Sequence, residues 1–313
     1  MTRTSMPKIS VVIPVYNAQS TILVLIERLH RVLSEIDTEY EIICVDDAGH
    51  DDSWQLLREA RGQDKRVKII QHARNFGQHF ALLTGLAAAK GEFVVTMDDD
   101  LQHPPEEIAT LYEALVAHPE WDVVFGAYTQ KRHSFWRNVG SAVVNRITRR
   151  VFHVPPNVSL TSFRIMRRWL AETLCAMPTR TPRLNHMILA STTAIGNVVV
   201  RHDPGGKSRY STRRLISNAL DTILGHTALP LQAVSVVGFC TSLFSFGLGI
   251  YYLVKYFVSG IRVPGWTTQT LLMLFFFGLL FFSLGIVGEY LIRILRQVQS
   301  PPRAAVRESH VDD

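Results

Sequence analysis

The chain has 313 residues, enough for one large domain with further elements beside it, and its 47% hydrophobic content is an ordinary globular share. Three cysteines, Cys44, Cys175 and Cys240, lie among apolar neighbours without metal-ligand spacing, which excludes a disulfide framework and reads as buried thiols in a reducing compartment. The formal charge of +6 comes from cations clustered beside two apolar segments, which favours a membrane surface over nucleic acid as partner, and residues 1–8 lack the apolar stretch of an export signal.

In chain order, a β-branched run, Ile9–Val15, passes through Asn17 and Ser20 into Ile22, Leu25, Ile26, Leu29 and Leu33 at helical spacing. Residues 40–45 repeat the strand pattern and end in Asp46 and Asp47 before a helix over about 52–61. A third strand over 67–71, a helix over 78–89 and a fourth strand over 92–96 follow. Strands alternating with helices predict a mostly parallel sheet flanked by helices on both faces. Arg164, Arg167 and Arg168 read as the solvated face of a helix. His72, His79 and His103 read as loop or surface histidines with no partner acid at a telling spacing.

Each of the four strands ends in polar residues: Tyr16 and Asn17, Asp46 and Asp47, Arg74 and Asn75, then Asp98, Asp99 and Asp100 within Met97-Asp-Asp-Asp-Leu-Gln-His-Pro-Pro105. Open α/β sheets bind ligands outside the carboxyl ends of their strands. Three adjacent acids repel one another unless a cation or water neutralises them, and hard divalent ions prefer carboxylate oxygens together with substrate phosphates. The acids alone fit a solvated acidic loop equally well, and helix capping is the lesser alternative for Asp46 and Asp47. No Gly-x-Gly-x-x-Gly or Gly-Lys-Ser/Thr loop is present, so a carboxylate has to read the nucleotide.

Towards the C-terminus, residues 229–254, without a charge, and 270–292, with Glu289 near its end, are apolar and long enough for a hydrocarbon core of about 30 Å. Arg201, Lys207, Arg209, Arg213 and Arg214 precede them and Arg293, Arg296, Arg303 and Arg307 follow, which places both termini in the cytoplasm. Leu215, Ile216, Ala219, Leu220, Ile223 and Leu224 recur at helical spacing, as an interfacial amphipathic helix or a core helix would. The expected organisation is a cytosolic domain over 1–208, an interfacial helix over 209–228, transmembrane helices over 229–254 and 270–292 joined by a periplasmic loop over 255–269, and a basic cytoplasmic tail over 293–313.

Four segments now combine: Val11-Val-Ile-Pro-Val-Tyr-Asn17, Val45-Asp-Asp47, Arg74-Asn-Phe-Gly-Gln-His79 and Asp98-Asp-Asp-Leu-Gln-His-Pro-Pro105. Together they resemble glycosyltransferase family 2, and within it the polyprenyl-phosphate glycosyltransferases with two C-terminal spans, nearly end to end. Asn75–His79, Pro104–Ile108 and Gly288-Glu289-Tyr290 are most similar to the aminoarabinose branch.

The resemblance implies a GT-A type fold with Pro14, Tyr16, Asn17, Val45, Asp46 and Asp47 around the nucleotide, and Asp99 contributing through its backbone. Asp98 and Asp100 become the catalytic residues. With Gln102 they surround Mg²⁺ or Mn²⁺, whose role is to neutralise a diphosphate leaving group. Arg137, Ser141 and Arg209 become acceptor-phosphate residues, Arg209 near the diphosphate, with Arg201 and Lys207 as auxiliaries. The implied reaction is inverting transfer of one sugar from a nucleotide diphosphate sugar to undecaprenyl phosphate at the bacterial inner membrane, feeding envelope glycan or lipopolysaccharide modification. The acceptor is already an anion, so no strong base is required. A homo-oligomer, a tetramer in related two-span proteins, is also implied.

Four positions depart from the pattern: Ala18 replaces a usual Glu, Tyr128 and Asp203 each an Arg, and Val158 a frequent Asp. They motivate one rival, a nucleotide-sugar-binding scaffold without turnover. A second rival, a processive polysaccharide synthase, shares the catalytic domain, but Ile165 replaces the Gln of a Gln-x-x-Arg-Trp motif and two spans are too few for a channel.

Overall fold

The computed structural model describes residues 8–37, 39–128, 158–179, 182–201, 229–259, 265–299 and 304–311. They belong to two units, Met1–Ser208 together with Pro301–Asp313, and Arg209–Ser300.

In the first unit the strands are β1 Ile9–Val15, β2 Tyr40–Asp46, β3 Val67–His72, β4 Phe93–Thr96, β5 Val123–Tyr128, β6 Arg164–Arg167, β7 Ile195–Val200 and β8 Val306–His310. They form one sheet in the order β7-β5-β6-β4-β1-β2-β3-β8. The pairs β1/β2, β1/β4, β2/β3 and β5/β7 are parallel, whereas β6 and β8 run antiparallel to their neighbours. The mostly parallel sheet expected from the alternation is therefore present.

Side-chain alternation sorts the core onto two faces. Ile9, Val11, Ile13 and Val15 pack in one apolar cluster with α1 (Ile22–Ile36), α2 (Ser53–Gln63) and α4 (Glu107–Ala117). Val12, Ile43 and Val45 pack in another with α3 (Gln78–Ala88), α5 (Arg168–Ala176) and α6 (Leu184–Ser191). Helix α1 buries Ile22, Leu25, Ile26, Leu29 and Leu33, the stripe read from its spacing.

Three readings need correction. Arg164–Arg167 is a strand, and Arg164 is 1% exposed, because cross-strand packing against β4 outweighs the charged composition. His72 does have an acid partner: its Nδ1 lies 2.8 Å from Asp47 Oδ1, a contact between adjacent strand ends that spacing along the chain does not display. Of the cysteines, Cys44 is buried, and burial pushes its thiol up to about 12, but Cys175 is half-buried and Cys240 exposed.

The second unit holds α7 (Leu229–Ser259) and α8 (Trp266–Gln299). Among the described residues, Phe275–Ile292 is the segment long and apolar enough to cross a membrane. The sequence of α7 is interrupted by Gln232, Ser235, Thr241, Ser242 and Ser245. Both helices outrun the apolar segments, since Lys255, Arg293 and Arg296 are good helix formers and Pro301 and Pro302 stand beyond the last turn. The expected interfacial helix over 209–228 lies outside the described residues.

Candidate functional site

The carboxyl ends of β1, β2, β3 and β4 share a backbone peculiarity. Each is followed by a residue in the left-handed region: Asn17 (φ 54°), Ala48 (φ 54°), Gly77 (φ 97°) and Leu101 (φ 60°). Non-glycine residues held there cost energy and persist where surrounding bonds over-determine them, commonly at ligand sites. Those bonds are visible here. Asn17 Oδ1 accepts the His50 amide at 2.8 Å, Ala18 N–H donates to Ser53 Oγ at 2.8 Å, and Gln19 N–H donates to Asp51 Oδ2 at 2.9 Å. The loops after β1 and β2 are thus laced together.

The three acids occupy different environments. Asp98 Oδ1 accepts Gln78 Nε2 at 2.6 Å and Oδ2 accepts Ser162 Oγ at 2.7 Å, with His103 Nδ1 3.9 Å away. Asp99 Oδ2 accepts the Tyr16 amide at 3.0 Å, so its side chain, not only its backbone, ties β4 to β1. Burial raises the Asp99 carboxyl to about 6 against that bond, and Asp98 and Asp100 push the same way as burial. Asp100 is exposed, with Oδ1 on the Gln102 amide at 3.1 Å.

Around them, Tyr16 is 43% exposed and offers a ring face, whereas Pro14 and Val45 are buried within their strands and can shape the site only through the backbone. Asp46 accepts Gln71 Nε2 at 3.2 Å and the Gly49 amide at 3.4 Å, and burial, opposed by those bonds, raises its carboxyl. Asp47 is occupied by protein donors: His72, the Phe76 amide at 2.9 Å and the Gly77 amide at 2.7 Å. Arg74 lies over the Phe76 ring, 4.5 Å to its centroid. At the other flank, Arg201 Nε bonds Glu107 Oε1 at 2.5 Å at the start of α4, while Ala18 and Val158 are buried.

Tyr16, Asn17, Asp46, Asp98, Asp99, Asp100 and Gln102 thus share one edge. Arg137, Ser141, Asp203, Lys207 and Arg209 lie outside the described residues. Sequence reading missed Gln78 and Ser162, which hold Asp98, and Gln71, which holds Asp46. Gln78 stands inside a quoted motif, but its contact spans 20 residues of sequence and that of Ser162 spans 64.

Does a divalent cation fit? Among the described residues no three His, Cys, Asp or Glu side chains enclose a metal position. Both oxygens of Asp98 are bonded, and Asp100 is the exposed carboxylate. Such a donor set suits a hard cation that takes one or two carboxylates and completes its shell with water and substrate phosphates. It does not make a closed cage from Asp98, Asp100 and Gln102.

Residues 10–175 match the family described as Glycosyl transferase family 2. The undecaprenyl-phosphate 4-deoxy-4-formamido-L-arabinose transferase of Klebsiella pneumoniae (strain 342) is 33% identical over 306 residues, covering 95% of this chain and 91% of that protein. An uncharacterized glycosyltransferase of Synechocystis is 30% identical over 302 residues, covering 94% of this chain and 93% of its own length. A crystal structure of Mycobacterium tuberculosis glucosyl-3-phosphoglycerate synthase, in complex with Mn²⁺, UDP and phosphoglyceric acid, is similar with a TM-score of 0.54. It covers 70% of this chain and 76% of that one at 20% identity, which shows a shared fold.

Proposed function

The chain belongs to glycosyltransferase family 2 and is a glycosyltransferase, and on that premise we propose that it transfers one sugar from a nucleotide diphosphate sugar to a polyprenyl phosphate, undecaprenyl phosphate, at the cytoplasmic face of a bacterial inner membrane. The observation that carries this reading is the similarity to undecaprenyl-phosphate transferases over 95% of the chain, beyond the catalytic domain and through both long helices.

The nucleotide lies along the strand ends. Tyr16 presents its ring to the base, Asp46, buried on Gln71 and the Gly49 amide, fixes the strand end beside base and ribose, and the acids after β4 face the diphosphate. Asp98, Asp100 and Gln102 are the residues that would hold Mg²⁺ or Mn²⁺, which supplies Lewis-acid neutralisation of the leaving diphosphate. Asp98 is the more rigid of the two carboxylates, fixed by Gln78 and Ser162. The acceptor phosphate oxygen attacks the anomeric carbon opposite the departing nucleoside diphosphate, so configuration inverts. Arg137, Ser141 and Arg209 bind the acceptor phosphate.

Chain topology supports two membrane crossings. The chain leaves the first unit near residue 208 and returns to it at β8, in the same sheet. A segment that starts and ends on one side of a bilayer crosses it an even number of times. A crossing at Phe275–Ile292 therefore requires a second, and α7, with 31 residues at 1.5 Å each, exceeds the roughly 30 Å core.

Transfer of radiolabel from a panel of UDP and GDP sugars to undecaprenyl phosphate in detergent, with Mg²⁺ or Mn²⁺, tests the reading against Asp100→Ala. A metal-dependent lipid product lost in the variant is expected. Nucleotide binding without product from any donor would sink it.

A further inference from the structure

The C-terminal strand β8 begins beside the loop after β3 that faces the acid cluster. Along β8, Ile69 stands opposite His310 and Gln71 opposite Glu308, but the register then slips, and His72 stands opposite Val306. Past the slip, Ala73 N–H donates to Ala305 O at 2.8 Å. Irregularities of this kind bend a strand and re-aim its side chains. Here the extra residue, Arg307, belongs to β8, so it is β8 that bends, while His72, beside the slip on the regular strand β3, is 1% exposed, with Nδ1 2.8 Å from Asp47 Oδ1 and Nε2 2.9 Å from Thr84 Oγ1. An imidazole protonated at Nδ1 donates to Asp47 and accepts the Thr84 hydroxyl, satisfying both nitrogens.

Asp47 passes the constraint on. It is 3% exposed, so its charge depends on donors, and besides His72 these are the Phe76 and Gly77 amides. Gly77, at φ 97°, is the residue from which α3 starts, and Gln78, the first residue of that helix, donates to Asp98. An unbroken series of bonds therefore runs from Ala305 to Asp98. It passes through the β3 backbone, the imidazole, a carboxylate, two amides and the Gln78 side chain.

We propose that His72 is a positioning residue for the donor site and that the C-terminal strand sets it: β8 fixes the end of β3, His72 orients Asp47, and Asp47 holds the Phe76–Gly77 turn from which Gln78 reaches Asp98. Without β8, β3 becomes an open edge and the bond at Ala73 is lost. The segment that follows the last long helix is thus part of the donor site. What the loop serves rests on the nucleotide-sugar reading, whereas the coupling does not.

Amide hydrogen exchange on the full chain in detergent tests this, comparing wild type, a chain ending at Arg303, His72→Leu and His72→Asn, with UDP and GDP titrations on the same samples. Exchange at Phe76 and Gly77 should speed at least tenfold in the truncated chain and in His72→Leu. A synthetic peptide of residues 304–313 should restore the truncated chain. His72→Asn, whose amide replaces the Nδ1 donor, should stay within threefold of wild type. Slow exchange at Val11 and Ile13 reports an intact sheet in every sample. If truncation disturbs those amides, the full-length pair Arg307→Pro/Glu308→Pro, which removes a ladder donor from β8 whichever side it faces, takes its place with the same expectation. Phe76 and Gly77 exchanging within twofold of wild type without a paired β8, or an intact truncated chain that the peptide fails to restore, overturns the proposal. A wild-type chain that binds neither nucleotide refutes the functional reading while the exchange result still decides the coupling.

Discussion

Thr96 and Arg164 stand opposite each other across the antiparallel β4/β6 pair, and Arg164 Nε donates to Thr96 Oγ1 at 2.9 Å. Arg164 also donates through Nη1 to Asn185 Oδ1 and lies 5.5 Å from the Phe125 ring centroid. Burial lowers its pKa to about 10, with Asp98 opposing the shift, and no described carboxylate is in ion-pair contact with it. A fixed cation therefore lies beneath the acid cluster, two residues before Asp98 in register.

Arg164→Met should destabilise the domain, because Thr96 and Asn185 lose their donor in a buried setting, at a cost of about 1–3 kcal/mol. Arg164→Lys keeps the charge but not the fork and should fall between. Thermal unfolding in detergent checks the order; a Met variant as stable as wild type would show that relief of the buried charge outweighs the lost bonds.

The strand ends were legible because strand, turn and acid coincide in short segments: Ile9–Val15 with Tyr16, residues 40–46 with Asp47, and Phe93–Thr96 with Asp98–Asp100. The bonds that set those acids were not. Ser162 meets Asp98 through the pairing of β6 with β4, and Gln78 meets it across two loops, so neither has a local signature. β6 itself was hidden, because a four-residue strand with Arg at both ends carries no hydrophobic period. β8 was read as a charged tail because Val306-Arg-Glu-Ser-His310 has the composition of an exposed edge, which is what it forms.

Acid should weaken the fold through His79. Burial lowers its pKa to about 4, Arg164 and Arg183 push the same way, and Asp98 opposes. The unfolded chain takes up this proton at the ordinary histidine value near 6.5, so stability is highest above that pH and is lost as pH falls towards about 4. Allowing for solvent screening of a partly exposed ring, the loss is about 1–2 kcal/mol. His79→Gln should show a smaller fall in Tm between pH 7 and 5 than wild type; an equal fall would assign the effect elsewhere.

Gly85 lets α3 approach the sheet. A Cβ there would sit 2.4 Å from Val12 Cγ1 and 3.2 Å from Val45 Cγ2, and β-branched side chains have little rotameric freedom to yield. Gly85→Ala should cost about 1–3 kcal/mol by overpacking, and adding Val12→Ala should recover part of it. Additive losses in the double variant would mean that the contact is relieved by other movements.

Single cysteines placed at residues 262 and 307, in a background with Cys44, Cys175 and Cys240 replaced by Ser, test the two crossings in intact cells. A membrane-impermeant maleimide should label position 262 only. Labelling at 307 without permeabilisation would put the tail outside, which an even number of crossings from a cytosolic domain forbids.

The difference between Asp98 and Asp100 predicts a split in their variants. Asp100 is exposed with one oxygen on its own loop, so Asp100→Asn should weaken Mn²⁺ binding in the presence of UDP at least tenfold and leave UDP binding in EDTA within threefold. Asp98 is held on both oxygens, and an amide there can no longer accept from both Gln78 and Ser162. Asp98→Asn should therefore lower UDP affinity even in EDTA, because the loop from Gly77 to Gln78 loses its anchor, and Gln78→Ala should reproduce part of that loss. Manganese titration by electron paramagnetic resonance and nucleotide calorimetry on the same samples separate the two. Equal effects of both substitutions on metal-free UDP binding would mean that Asp100, too, contacts the nucleotide directly.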